Sequence, residues 1–94
     1  MRHFVSLKIL EDGTKYEGEC NEQGLPHGRG INISQNGNLY EGYFSNGKSN
    51  GIGRVIYTDG SHYVGEWKNN LKNGYGDYTF VDGHRYEGYW YNDE

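Results

Sequence analysis

One three-residue motif occurs four times in this chain at near-constant spacing. Tyr16-Glu17-Gly18 returns as Tyr40-Glu41-Gly42, Tyr63-Val64-Gly65 and Tyr86-Glu87-Gly88, at intervals of 24, 23 and 23 residues. A period of this size marks a stacked-repeat architecture, in which like units are added side by side instead of wrapping one core. All sixteen glycines fall in columns of that repeat. Scattered, they would suit a disordered linker; in register, they mark turns and close packing. Repeat arrays present long surfaces to partners, so binding is favoured over catalysis from the outset.

Each unit opens with a strand pattern. Its first, third and fifth positions are Tyr16, Gly18 and Cys20; Tyr40, Gly42 and Phe44; Tyr63, Gly65 and Trp67; Tyr86, Gly88 and Trp90. Ring, glycine and ring at period two, with polar residues between, reads as a strand with distinct faces. A polar loop follows, with Gly24 and Gly47 at its turn and Asn70 in the same place; Asn is the residue best able to replace Gly at positive φ. Gly-x-Gly then opens a second strand (Gly28 and Gly30, Gly51 and Gly53, Gly74 and Gly76), which ends at Asn36-Gly37, Asp59-Gly60 or Asp82-Gly83. Such pairs are strong hairpin signals. Residues 4–10 and Asp12-Gly13 fill the second-strand and turn slots of a half unit.

The predicted strands are 4–10, 14–20, 29–34, 39–44, 52–58, 62–67, 75–81 and 85–91. The predicted fold is all-β, one elongated antiparallel meander of stacked hairpins forming a single domain. Its units are 14–37, 38–60 and 61–83, with a half unit at 4–13 and a partial one at 84–94. Placing the Asp59-Gly60 turn centrally pairs Tyr57 with Tyr63, Val55 with Gly65 and Gly53 with Trp67. The next hairpin pairs Tyr78 with Gly65 and Gly76 with Trp67. Trp67 is then covered by Gly53 and Gly76. One face carries Tyr57, Tyr63, Trp67, Tyr78, Val55 and Phe80; the other carries Glu66, Arg54, Asp77 and Thr79. Val5, Leu7, Ile9, Ile31 and Ile33 have the opposite parity, while Lys8 and Asn32 take slots later filled by Val55 and Tyr78. This suggests that the apolar surface changes faces along the chain.

Composition narrows function. Ten Tyr, three Phe and two Trp carry much of the apolar content of these 94 residues, and the formal charge is −4. A nucleic-acid binder needs a basic stripe that such a chain lacks, and general attraction to anionic lipid is weakened. Cys20 is the only cysteine, so no intrachain disulfide can form and secretion gains no support. The N-terminal apolar run is too short for a signal peptide. No stretch approaches the roughly 20 apolar residues of a membrane helix. The default is a soluble intracellular protein.

With its columns laid out, the chain resembles the MORN (membrane occupation and recognition nexus) repeat family. The matching residues include Tyr40-Glu41-Gly42-Tyr43-Phe44, Asn46-Gly47-Lys48, Gly51-Ile52-Gly53, Tyr63-Val64-Gly65-Glu66-Trp67, Gly74-Tyr75-Gly76 and Tyr86-Glu87-Gly88-Tyr89-Trp90. His27-Gly28-Arg29-Gly30 keeps a histidine often seen before the Gly-x-Gly. The resemblance covers residues 11–94 and implies an elongated array of hairpins acting as an assembly module. Settings it implies are cytoskeletal, ciliary or membrane-junction complexes, so a cytoplasmic, cytoskeletal or peripheral-membrane location is expected. It implies no catalytic activity and no cofactor. Cys20 in a ring column, the extra residue in unit one and Asn70 for Gly depart from the pattern.

The candidate partner-binding residues are Tyr40, Phe44, Tyr63, Trp67, Tyr86 and Trp90, which project to one side at regular intervals. Tyr- and Trp-rich patches are the stuff of binding hot spots. The alternative site is Lys48, Lys68 and Lys72 as a phosphoinositide headgroup patch; ordinary solubility is the bland account of the same lysines. A sugar-binding groove is a weaker third reading. Glu17, Glu41 and Glu87 form a carboxylate row, but alternation with rings is what a solvated face shows. The four histidines lack metal-ligand spacing, so no metal site is expected. Gly28-Arg29-Gly30 lacks the helix that would make it an anion site. The expected partner is therefore a protein, with anionic phospholipid as the alternative and no nucleic acid. The strand 85–91 shows several rings and few charges, a poorly protected edge that is expected to pair with a second copy or with a partner by strand addition. The stop at Asn92-Asp93-Glu94, one strand into a new unit, points to a fragment or to an edge completed by another chain.

Overall fold

The computed structural model describes residues 3–10 and 12–94, with side chains from residue 8 onward. It is one antiparallel meander of eight strands, each bonded to its neighbours in chain order. They are β1 (His3–Ile9), β2 (Lys15–Cys20), β3 (Pro26–Ile33), β4 (Leu39–Ser45), β5 (Lys48–Ile56), β6 (His62–Lys68), β7 (Leu71–Thr79) and β8 (Arg85–Trp90). No helix occurs among the described residues. The molecule measures 40 × 23 × 17 Å, as eight strands about 4.8 Å apart require.

All eight expected strands are present, but β3, β5 and β7 begin three to four residues early. The reason lies in the turns. Between β4 and β5, and between β6 and β7, the connection is two residues, Asn46-Gly47 and Asn69-Asn70, all at positive φ (49°, 90°, 51° and 71°). That is a type I′ hairpin, whose twist suits its flanking strands. The Asp-Gly turns are instead wider. Gly60 N–H donates to the Tyr57 carbonyl, Tyr57 N–H to Ser61 O, and the Asp59 carboxylate accepts from the Ser61 N–H. Only the glycine is left-handed, at φ 95°. The same arrangement recurs at Leu10–Thr14 and Phe80–His84.

This geometry corrects the pairing. Val55 lies opposite Tyr63, Gly53 opposite Gly65, and Gly51 opposite Trp67. Across the next junction Tyr63 meets Tyr78 and Gly65 meets Gly76; a bulge follows, and Trp67 meets Lys72. The expected Tyr57–Tyr63, Val55–Gly65, Gly53–Trp67 and Tyr78–Gly65 pairs are each displaced by two residues, and the bulge carries Trp67 a further two, to Lys72 in place of the expected Gly76. A two-residue slip preserves which side chains share a face, so the predicted faces survive.

Glycine meeting glycine is what the core needs. The phenol of Tyr63 does not stand up from the sheet but lies along it, over Gly65 and Gly76, and donates to the Glu66 carbonyl at 3.1 Å. Tyr40 does the same over Gly42 and Gly53, with its hydroxyl 2.8 Å from the Tyr43 carbonyl; Tyr16 does so over Gly18 and Gly30. A Cβ on Gly30, Gly53 or Gly76 would overlap the ring above it. So Gly53 and Gly76 are covered by Tyr40 and Tyr63, not by Trp67.

Laid down this way, the rings of alternate strands meet above the glycine strands. Tyr16, Phe44, Tyr40, Trp67, Tyr63, Trp90 and Tyr86 form one edge-to-face ladder, with successive centroids 4.9–5.4 Å apart. Each such pair contributes about 0.5–1.5 kcal/mol beyond the area it buries. Trp67 is further tied by its indole N–H to the Gly53 carbonyl, 3.1 Å. A single sheet thereby builds a core without a second layer.

The ring-bearing face continues without interruption through the early units. Lys8 stands opposite Tyr16, and Asn32 opposite Tyr40, on that same face. The Lys8 ammonium bonds the Gly24 carbonyl at 2.7 Å. Ile9, Ile31 and Ile33 point to the other face and are exposed; Val5 and Leu7 lie outside the described side chains. The expected change of face is therefore an apolar stripe on the outer surface, added to an unbroken core.

Candidate docking surface

The six rings named from sequence divide sharply by burial. Tyr40, Phe44, Tyr63 and Trp67 are buried, Tyr63 completely. They are internal packing and offer a partner no surface, which corrects the expectation of a regular exposed row. Trp90 is half-buried, and Tyr86 is 46 % exposed.

Around these two lies a basin that sequence columns could have revealed. The column opposite the motif tyrosines reads Lys8, Asn32, Val55, Tyr78; the one at the turn reads Leu10, Ser34, Tyr57, Phe80. Large rings fill both only in the last full unit. There Tyr57 and Tyr78 lie 5.9 Å apart with planes tilted by 33°, Tyr78 and Phe80 4.7 Å apart, and Tyr78 and Trp90 5.9 Å apart. Phe80 is 46 % exposed, and Tyr57 and Tyr78 are half-buried. The Tyr78 hydroxyl is anchored to Ser61 Oγ at 3.3 Å.

Lys72 floors this basin. Its ammonium lies 5.4–5.9 Å from the ring centroids of Tyr57, Tyr63, Trp67, Tyr78 and Trp90. It also bonds the Tyr57 hydroxyl and pairs with Asp93, each at 3.3 Å, and its side chain is only 12 % exposed. Ring quadrupoles favour a cation so placed. Lys48 and Lys68 remain exposed at the loop end. The structure thus does not bring Lys48, Lys68 and Lys72 together as one headgroup patch, because Lys72 turns inward opposite Trp67.

Burial leaves an electrostatic mark on the ladder. It pushes the ionisation of Tyr16, Tyr40 and Tyr63 upward, Tyr63 to about 12, where the Glu66 carboxylate adds to the effect. An unfolded tyrosine ionises near 10. Folding therefore favours the neutral phenols; that stability is fully present below about pH 10 and is lost as pH rises toward the folded values. In an alkaline titration, these three tyrosines are expected to give phenolate absorbance only together with loss of the sheet signal by circular dichroism. Phenolate formation by all ten tyrosines around pH 10 with the sheet intact would contradict their burial.

The carboxylate row lies on the outer face and is solvated. Glu41 pairs with Arg54 at 2.9 Å, and Asp77 pairs with Arg85. The Arg85 guanidinium holds the Asp77 carboxyl below its usual range. Among the described residues, no cluster of three His, Cys, Asp or Glu could hold a metal ion.

Comparison with known proteins agrees with the repeat geometry. A stretch of 38 residues, 40 % of this chain, is 50 % identical to part of the inactive protein tyrosine kinase pTKL of Plasmodium berghei (strain Anka). The match spans about 3 % of that protein's length. The sequence profile of the MORN repeat matches three times in succession, over residues 22–39, 40–62 and 63–85. Its boundaries fall on the motif tyrosines Tyr40 and Tyr63, whose rings roof the glycine pairs of each unit. With two thirds of its length accounted for by those three consecutive units, the chain belongs to the MORN repeat family.

Proposed function

We propose that this chain is a non-catalytic module that binds another protein through the aromatic basin of its last full unit, as a scaffold part within a larger assembly. The observation that carries this reading is the burial gradient along one ladder. The rings from Tyr16 to Tyr63 are sealed, whereas Tyr86, Trp90, Tyr57, Tyr78 and Phe80 keep open surface around a fixed cation. Rigid aromatic surface of this kind binds at low entropic cost. That the matching stretch of pTKL is a small part of a long chain fits a module carried alongside other domains. The setting we propose for it is a cytoskeletal, ciliary or membrane-associated complex. With Lys72 engaged internally, the phospholipid alternative rests on Lys48 and Lys68 alone, and the protein reading is preferred.

Phe80→Ala tests it. Phe80 is exposed and belongs to no ladder contact, so the variant is expected to fold as the parent does. Affinity for the protein that co-purifies from native cells should fall about 30-fold, the equivalent of a hot-spot loss of about 2 kcal/mol. The variant Lys48→Ala/Lys68→Ala should leave that affinity unchanged. Unchanged binding by Phe80→Ala would reject the basin. Salt-sensitive binding to phosphoinositide vesicles, lost on neutralising Lys48 and Lys68, would establish the lipid reading in its place.

A further inference from the structure

The outer face of the sheet takes no part in the basin, yet it is not an ordinary solvated surface. Ile31, Tyr43, Ile52, Ile56 and Val64 lie on it, each 38–55 % exposed. Scattered apolar residues of this kind need no explanation, but these adjoin one another on the four central strands, β3 to β6. Register fixes their order. The middle cross-strand row reads Ile31, Glu41, Arg54, Val64 from β3 to β6. The row toward the loops reads Arg29 and Tyr43, then, past the β4–β5 bulge, Ile52 and Glu66. The row toward the Asp-Gly turns has Leu39 beside Ile56 at its centre. Reversed, the first two rows are their own complements. Apolar, acid, base, apolar laid on its reverse puts acid on base and apolar on apolar. Base, apolar, apolar, acid does the same.

From this self-complementarity we infer that the outer face is the contact between two copies of this chain, packed back to back. Half a turn about an axis parallel to the strands, between β4 and β5, lays β4 over the partner's β5 and β3 over the partner's β6. Glu41 then meets the partner's Arg54, and Arg54 the partner's Glu41, so four charges alternate in sign around the axis. Ile31 meets the partner's Val64, Tyr43 the partner's Ile52, and Arg29 the partner's Glu66. Glu41 and Arg54 already pair within the chain at 2.9 Å. Neither charge therefore enters the contact unpartnered, the case in which burial would be most costly. Stacked sheets cross at about 30°, so the match is needed only near the axis. Farther out, Glu17 would approach the partner's Asp77, which its own Arg85 already holds. The molecule spans 40 Å by 23 Å, a face wide enough for the roughly 800 Å² per partner of a standard interface. The contact uses the middle of the array. The basin lies on the opposite face and stays open in the dimer, so the inference does not rest on it.

Sedimentation equilibrium of the intact 94-residue chain over a concentration series tests this, together with two charge reversals, Glu41→Arg and Arg54→Glu. The parent should dimerise. Each variant alone sets like charges against each other on both sides of the axis and should weaken the dimer at least about thirtyfold. Both side chains are exposed in the single chain, 42 % and 49 %, so both variants should keep the parent's circular dichroism spectrum. Mixed in equal amounts, the two variants should form a heterodimer about as tight as the parent dimer, since each reversed residue then faces one of opposite sign. A parent that stays monomeric would overturn the inference. So would a variant that dimerises as tightly as the parent, or a mixture that stays monomeric. The two proposals fail separately. Loss of the native partner in Phe80→Ala, with a monomeric parent, leaves the basin and rejects the dimer; a dimer that obeys the charge reversals, with partner binding untouched by Phe80→Ala, does the reverse.

Discussion

Tyr63→Ala is expected to cost about 3–5 kcal/mol of folding stability, the range for removing a large buried ring. A domain of this kind has only about 5–15 kcal/mol in all, so the variant should be close to unfolding at room temperature. The cost is high because Tyr63 sits at a junction. Its ring is fully buried, meets Trp67 at 5.3 Å and Trp90 at 5.4 Å, roofs Gly65 and Gly76, and bonds the Glu66 carbonyl. Removing it breaks the ladder in two and exposes bare backbone beneath. Tyr86→Ala removes the same residue type from the same column and should cost about 1 kcal/mol or less, since that ring is half exposed. Urea unfolding of both variants checks this. Equal midpoints would mean that the ring contributes no more inside the array than at its edge.

Gly76→Ala is expected to destabilise the fold by about 1–3 kcal/mol, the cost of overpacking a close-fitted site. Two effects oppose each other here. Alanine narrows the unfolded ensemble and on that account stabilises by about 0.4–1 kcal/mol. Against this, its methyl would overlap the hydroxyl and ring of Tyr63, which is enclosed on all sides and cannot swing away. The overlap wins. Gly76 does not have positive φ, so backbone strain plays no part. Gly83 provides the contrast: nothing lies within 4 Å of a Cβ there, but its φ is 96°, and alanine should cost only the strain of that conformation, about 1 kcal/mol. In a Tyr63→Ala background the Gly76→Ala penalty should vanish, a strong departure from additivity. Additive penalties would show that the glycine is needed for some reason other than the ring above it.

The strands were legible from sequence because period two and paired turn residues are local properties. Which side chains share a face was legible for the same reason. Register was not. Asp59-Gly60 permits both a tight two-residue turn and the wider one observed, in which Asp59 caps the Ser61 N–H. The two differ by an even shift, so the faces agreed while every glycine was matched to the wrong partner. Burial was legible only in part. A tyrosine in a single-layer sheet can stand up into solvent or lie along the strand; the glycine two residues on permits the second, but only the correct register shows that a second glycine completes the bed. Lys72 shows the limit of reading residues by type. As a lysine beside a turn it suggested a headgroup contact, yet its column, Pro26 and Ser49 in the earlier units, is a buried one. The bulge that sets it opposite Trp67 carries it inward among the rings.

The account holds that one ladder is sealed along the array and opens only at its last unit. Hydroxyl-radical footprinting of the intact protein, read residue by residue by mass spectrometry, tests this most directly. Tyr16, Tyr40, Phe44, Tyr63 and Trp67 should be protected, while Phe80, Tyr86 and Tyr89 are oxidised rapidly and Tyr57, Tyr78 and Trp90 fall between. If Tyr40, Tyr63 and Trp67 are oxidised as fast as Tyr89 in the folded protein, the rings line an open groove. The sealed core, and the basin placed at its end, would then both be wrong.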